Sequence, residues 1–472
     1  MPFFEKSGQQ NTGRQNTSRQ NNGRDLTQGP VFRSLLAFAL PMICGTCLQQ
    51  FYNVVDTWVV GRYVGSGALA AVGASFALMT FLTSVLLGLC MGSGVVFSMC
   101  FGRRDETGLS ESLCSSFALT AASALVLTAG SLVLSEHIMN WLNIPDDIRQ
   151  MTRIYLRIIF CGIPAVFLYN FFAAYLKAVG DSVRPLVFLA LAACVNIVLD
   201  LVFVAALHMG TGGAALATII AQYLSGAGIC LYVLKTDGLI RRAFASFCVR
   251  RENLRLIADY SILTCMQQSV MNLGILAVQG LVNSFGTTVM AAFAAAVKID
   301  AFAYLAVQEY ANAFSTFIAQ NKGAGKIQRM KRGISCGAAV SIFYCLIASA
   351  LIFGFAEPLM RIFIRAEEAD IIREGVRYLR IEGAFYVGIG CLFLFYGLYR
   401  ALGKPSMSIV LTVVSLGTRV LLAYTLSAVP EIGVLGIWWS VPIGWGLADL
   451  AGLFYYFWRG KLLLHAVPDQ RK

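Results

Sequence analysis

Charge is what this chain has least of. Lysine, arginine, aspartate and glutamate make up 13% of its 472 residues, about half the share of an ordinary soluble domain. With a mean hydropathy of +0.69, that excludes a soluble globular enzyme of usual composition. Histidine is nearly absent as well: His137, His208 and His465 are scattered near loops or an end, a pattern that offers no metal site. No paired nucleophile and base stands out, so no catalytic residue is assigned and an intramembrane enzyme has nothing to rest on. Cysteine is not scarce, but its thirteen copies lie mostly inside apolar runs and read as small buried hydrophobes, not as a disulfide framework. Cys44 and Cys47 have thioredoxin-like spacing without the strand and helix around it that a redox motif needs. Gly323-Ala324-Gly325-Lys326 is only a fragment of a phosphate loop, and without an ATPase domain ATP is not the direct energy source.

What is present is a series of long apolar runs. They fall at about 35–60, 68–100, 113–135, 154–176, 185–207, 213–234, 258–283, 287–319, 334–356, 378–399, 406–428 and 433–458, each long enough to span a bilayer. The fold class expected is an all-α polytopic membrane protein of twelve transmembrane helices. The net charge of +12 sits in short breaks between the runs, as the positive-inside rule requires, and not in a nucleic-acid-binding patch. Arg103 and Arg104, Lys177 and Arg184, Arg241 to Arg251, Lys322 to Arg332, and Arg400 with Lys404 all fall in even-to-odd connections, which predicts that both termini are cytoplasmic. The loop at 356–378 dilutes the bias with Arg361, Arg365, Arg373 and Arg377, and the acids that accompany them count little in the rule.

Residues 1–30 repeat Gln-Asn-Thr-Gly-Arg in loose form and predict a disordered polar tail. No cleavable leader is expected, since the first apolar run follows that tail and is too long for one. The Asn16-Thr17-Ser18 sequon is expected to be idle on the inner side.

Internal duplication sets the domain plan. Tyr155-Leu156-Arg157-Ile158 returns as Tyr378-Leu379-Arg380-Ile381, and Lys177-Ala178-Val179-Gly180 returns at the identical offset as Arg400-Ala401-Leu402-Gly403. Six spans per half is an even number, so the copies share one orientation and form two pseudo-symmetric six-helix bundles. The divisions are 1–30 tail, 31–235 N-lobe, 236–257 basic linker, 258–460 C-lobe and 461–472 tail. Part of the linker is expected to lie on the inner leaflet as a basic amphipathic helix. Gly61-x-x-x-Gly65 and Gly88-x-x-x-Gly92 predict close helix packing.

Acids inside spans are the functional signal. Asp56 falls late in the first span, and Asp200 about fifteen residues, or about 22 Å, into the fifth, so both are expected in the outer half of the membrane. A carboxylate at such depth costs roughly 2.5 to 3.5 kcal/mol on insertion scales. Asn196 shares a helix face with Asp200, and Thr218 enters from the other side to a similar depth. Two carboxyls with amide and hydroxyl oxygens are what a proton or a hard cation such as sodium needs. Asn170 on the fourth span is a looser candidate. Pro41, with Gly45 nearby, predicts a kink in the first helix that links the cation to gating. The second half carries Lys298, Asp300, Glu309, Arg419 and Asp449 within its spans, and Asp300 with Arg419 is the pair expected there.

Asn53-x-x-Asp56-Thr57, Ala70-Ala71-Val72-Gly73, the Gly88 to Asp105 run, Lys177 to Asp181, Asn196-x-x-x-Asp200 and Gln320 to Lys326 together resemble the multidrug and toxic compound extrusion (MATE) family over roughly residues 31–460. The resemblance implies two six-helix bundles in a V and a secondary antiporter exporting organic cations and drugs against an inward proton or sodium gradient, without a cofactor beyond that coupling ion. Carried over by position, the N-lobe cation site resembles Asp56, Asn196, Asp200 and Thr218, with Gln49, Tyr52 and Asn170 lining the cavity. One branch of the family is expected to carry acids on the seventh and tenth helices. Neither Met266 to Val282 nor Gly383 to Tyr399 contains one, so the chain is similar to the DNA-damage-inducible (DinF-like) branch. At the offset of the repeat Asn196, Asp200 and Thr218 become Arg419, Ala423 and Val441, so the second half lacks the site. The protein is expected to be a monomer in the plasma membrane. The nearest rival is a flippase of lipid-linked precursors, which would need a cavity rich in arginine and lysine.

Overall fold

The computed structural model describes residues 24–141, 144, 146–365 and 367–465. Among them every regular element is helical: α1 (Val31–Tyr63), α2 (Ser66–Arg103), α3 (Glu106–Val133), α4 (Ser135–Trp141), α5 (Asp146–Phe160), α6 (Ile163–Ala178), α7 (Val183–Asp200), a π-helical turn (Leu201–Ala206), α8 (Gly210–Thr236), α9 (Gly238–Ala245), α10 (Arg251–Asn283), α11 (Thr287–Gly323), α12 (Ile327–Phe363), α13 (Ala369–Gly383), α14 (Tyr386–Ala401), α15 (Pro405–Ser427) and α16 (Val434–His465). Eleven stretches are long and apolar enough to cross a membrane, and α13 with α14, bent by 51°, makes the twelfth.

The duplication extends to the breaks in the helices. The fourth span is interrupted at Cys161 and Gly162, and the tenth at Ala384 and Phe385, which are equivalent positions in the repeat. After the first break Pro164 sits in the opening turn of α6, where its missing N–H removes nothing a helix start would use.

Glycines shape two of the seams between the halves. Along the first, α2 packs against α10 through Gly88 and Gly92, where a Cβ would stand 2.5 Å from the Cα of Cys265 and 2.5 Å from the carbonyl oxygen of Tyr260. The expected close packing of that pair is therefore present. Gly65 has no such neighbour: it takes φ of +109° just after α1 has ended, so it serves the turn into α2 and not a helix crossing. Along the second seam, at the end of the bundle rich in basic residues, a Cβ on Gly102 would lie 2.0 Å from the carbonyl oxygen of Gln320 and one on Gly323 2.1 Å from that of Met99.

A strap of residues 24–29 lies across this basic end. The Arg24 N–H donates to the Gly180 carbonyl at 3.1 Å, and the Leu26 N–H to Gln320 Oε1 at 3.1 Å. The Leu26 carbonyl accepts from Asn321 Nδ2 at 3.2 Å and Arg329 Nε at 3.1 Å, and the Thr27 carbonyl from Lys326 Nζ at 2.8 Å. Leu26 is fully buried. The sequence predicts disorder over this whole tail, but its last residues are ordered because side chains of α11 and α12 satisfy their backbone carbonyls; residues 1–23 lie outside the described residues. Burial works against the charge of Asp25, yet hydrogen bonds from Thr27 and Gln28 and the nearby Lys326 hold its carboxyl below the usual carboxylate range.

At the opposite end most of the basic residues are paired. Glu136 gathers Arg149, Arg153 and Arg157 at 3.7, 2.7 and 3.5 Å, while Arg361, Arg373 and Arg377 pair with Glu357, Asp370 and Glu374. The linker helix α9 turns its apolar face inward: Ile240 and Ala243 are buried and Phe244 stacks edge-on to Phe117 of α3 at 5.1 Å. The basic amphipathic helix expected in the linker is present, with its apolar face docked on protein.

Replacing Gly102 or Gly323 by alanine forces main chain apart at the basic seam and is expected to lower the melting temperature of the detergent-purified protein. Gly280→Ala, with nothing within 4 Å of the added Cβ, is expected to leave it level or raise it, since alanine gains roughly 0.5 to 1 kcal/mol over glycine inside a helix.

Candidate functional site

Asp56 lies in the far half of α1 and Asp200 is the last residue of α7. Their carboxyl groups are close enough to act directly on each other. Asp200 is fully buried and Asp56 half-buried. Neither oxygen of Asp200 finds another partner, nor does Oδ1 of Asp56. Two ionised carboxylates can only accept, so the contact becomes a hydrogen bond only when one of them keeps a proton. The alternative is a small cation between them.

The backbone departs from α geometry at this point. The π-helical turn Leu201–Ala206 begins directly after Asp200; widened turns of this kind leave carbonyls out of register and cluster at functional sites. Tyr155, 8% exposed on α5, interacts with both carboxyls. In the sequence Tyr155 stands out only as part of a repeat.

Beside the pair is a cavity of about 110 Å³ whose wall includes Gln49, Tyr52, Asn170, Asn196 and Thr218. The structure therefore brings these five predicted residues together, and the acids into contact one helical turn beyond Asn196. Their donors are not equally free. The Thr218 hydroxyl donates to the Ala214 carbonyl at 3.0 Å and the Asn170 amide to Val166 at 2.8 Å, both within their own helices. Asn196 is 2% exposed with neither end of its amide satisfied. It is the group with bonds left to give. Ser225, whose buried hydroxyl also lacks a partner, lines the same cavity and was not singled out, because a lone serine in an apolar span carries no sequence signal.

Pro41 does not interrupt α1, which runs unbroken from Val31 to Tyr63. The helix packs along α7 and α11, and that support carries it through one missing hydrogen bond.

The second half holds a different cluster. Asp300 accepts a hydrogen bond from the Tyr386 hydroxyl, and Arg419 acts on it only at longer range; among the described residues no ion pair joins them. The expected Asp300–Arg419 pair gives way to a phenol because the bend at Ala384 and Phe385 delivers Tyr386 to the acid. Glu382, 4% exposed with Oε2 unpartnered, belongs to this cluster. The acid-free stretch of the tenth span, Gly383 to Tyr399, begins one residue after it, which is how sequence reasoning missed it. At the positions equivalent to Asp200 and Thr218, Ala423 and Val441 are buried apolar core.

Comparison with known proteins follows the same duplication. The family described as MatE matches twice, over residues 41–202 and 264–425, two segments set apart by the offset of the repeat. Among curated proteins the chain is similar to the probable multidrug resistance protein YpnP of Bacillus subtilis, 29% identical over 438 residues that cover 92% of this chain and 96% of that one. It is also similar to the multidrug export protein MepA of Staphylococcus aureus, 21% identical over 440 residues with 92% and 96% covered. A solved structure described as the outward-facing conformation of a multidrug resistance MATE family transporter has a TM-score of 0.89 at 22% identity, covering 94% of this chain and 99% of that one.

If the acids share a proton, the infrared difference between acid and alkaline samples contains a protonated-carboxyl band that Asp56→Asn and Asp200→Asn each diminish, since an amide donates without titrating. Spectra that both substitutions leave unchanged would show that the pair holds no proton.

Proposed function

The chain belongs to the MatE family of membrane transporters, and from that premise we propose that it is a secondary antiporter exporting cationic or amphipathic organic compounds in exchange for inward H+ or Na+. The observation that carries this reading is the approach of half-buried Asp56 to fully buried Asp200, with both oxygens of Asp200 and Oδ1 of Asp56 left without a hydrogen bond. Charge in a low-dielectric site is relieved by an entering proton or hard cation. An ion that binds one conformation better than the other shifts the balance between them. Asn196 and Thr218 complete the oxygen set, and Gln49, Tyr52 and Asn170 face the cavity where cargo would lie. The names of the relatives, multidrug resistance and multidrug export proteins, support the same class of cargo.

Orientation follows from charge. The seam crossed by the strap gathers Lys322, Lys326 and Arg329, and the even-to-odd connections also carry Arg103, Arg104, Arg241, Arg242, Arg250 and Arg251; positive-inside placement of these bases supports cytoplasmic termini in the plasma membrane. A flippase of lipid-linked precursors would need a cavity rich in arginine and lysine, and the cavity beside the pair is lined by amides, hydroxyls and apolar groups.

Efflux from proteoliposomes under a proton gradient alone, then a sodium gradient alone, distinguishes the coupling ions. Asp56→Asn and Asp200→Asn are each expected to abolish transport driven by the productive gradient. Transport by both variants at the wild-type rate would remove these acids from the coupling step.

A further inference from the structure

A second cavity, of about 90 Å³, lies on the basic side of the first and shares Tyr169 and Asn170 with it. It is walled by both halves of the molecule, and its charged groups are Lys177, Glu309 and Arg400. Lys177 and Arg400 are the same position in the two copies of the repeat, each in the last turn of its helix. Duplication has thus set two cations facing one space.

Their pairing is incomplete. Arg400 is 4% exposed, donates through Nη2 to Asn312 Oδ1 at 3.1 Å, and leaves Nε without a partner. Asn312 in turn donates to Glu309 Oε1 at 3.2 Å, so the acid reaches the guanidinium through an amide. Among the described residues no ion pair includes Lys177, Glu309 or Arg400. Two cations and one acid leave one positive charge unmatched beside a guanidinium that is almost fully buried.

We propose that this cavity is an anion-recognition subsite, in which Lys177 and Arg400 hold the carboxylate of an amphoteric cargo whose remainder extends past Tyr169 and Asn170 into the neighbouring cavity. The planar guanidinium suits a carboxylate and the ammonium adds a second charge. The volume fits the acid end of a compound and not a whole drug, which occupies pockets of roughly 300 Å³ or more. Glu309 repels a multiply charged anion such as a lipid diphosphate, so a single carboxylate is the better match. The inference rests on the export reading above and adds a class of cargo to it.

The test is binding to the detergent-purified full chain, followed by fluorescence anisotropy, of rhodamine B and of its ethyl ester, two dyes with the same cationic ring system of which only the first has a free carboxylate. The wild type is expected to bind rhodamine B about tenfold more tightly than the ester, the effect of one charge-assisted hydrogen bond. Lys177→Gln and Arg400→Gln are each expected to erase that preference while ester affinity stays within about twofold. Lys177 is only half-buried, so its variant carries the result if the buried Arg400 variant fails to fold. Equal affinity for the two dyes in the wild type, or a preference that survives Lys177→Gln, overturns the subsite and leaves the export reading standing. Failure of the wild type to bind either dye removes both. Displacement of rhodamine B by farnesyl diphosphate at lower concentration than by the ester would assign the cations to lipid-linked anions and overturn the carboxylate assignment.

Discussion

Two carboxyl groups that have only each other for a partner are the constraint around which the first half is arranged. Water would dissolve the problem, but Asp200 is fully buried. An apolar replacement would solve it too, and the second half did so, placing Ala423 where Asp200 would be. Keeping both acids leaves Asp200 buried with neither of its oxygens hydrogen-bonded, which is costly for an ionised carboxylate. The surroundings are consistent with that condition. The helix widens into a π turn directly after Asp200, and Asn196, one turn earlier, keeps its own amide unspent.

The two halves share a backbone and differ in chemistry. Both break the fourth of their six spans at equivalent residues. In the second half the break brings Tyr386 to Asp300 as a donor, and a phenol satisfies a carboxylate without any visiting ion. In the first, the broken span brings Tyr155 near a pair that still lacks a donor. Duplication supplied the same scaffold twice, and polar substitution at a few positions gave the two copies different sets of buried charge.

Much of this was legible in the residues. Spans and repeat follow from hydropathy and a constant offset between matching segments, because the bilayer leaves a chain few ways to satisfy its backbone. Asp56 and Asp200 were legible because acids in apolar runs are expensive. The π turn was not, since Leu201 to Ala206 are ordinary apolar residues whose widened geometry comes from packing. Glu382 was hidden in a stretch that also carries Arg373, Glu374, Arg377 and Arg380, so its burial could not be told from a solvated amphipathic face. The partner of Asp300 was misread for a related cause: charge suggested Arg419, whereas the bend between α13 and α14 decided for Tyr386. Gly65 shows the limit of spacing motifs, which cannot register that a helix has already stopped.

The strap of residues 24–29 gives the basic end a different character from the rest of the interface. Elsewhere along the seam, glycines let main chain touch main chain, and such surfaces part without unthreading anything. Here a piece of polypeptide ties the loop after α6 to α11 and α12 at once. Parting those elements means stripping its carbonyls from their donors and lifting Leu26 out of full burial. Any opening at that face is thereby tied to residues 24–29, whose hydrogen bonds to the loop after α6, to α11 and to α12 have to be given up before those elements separate.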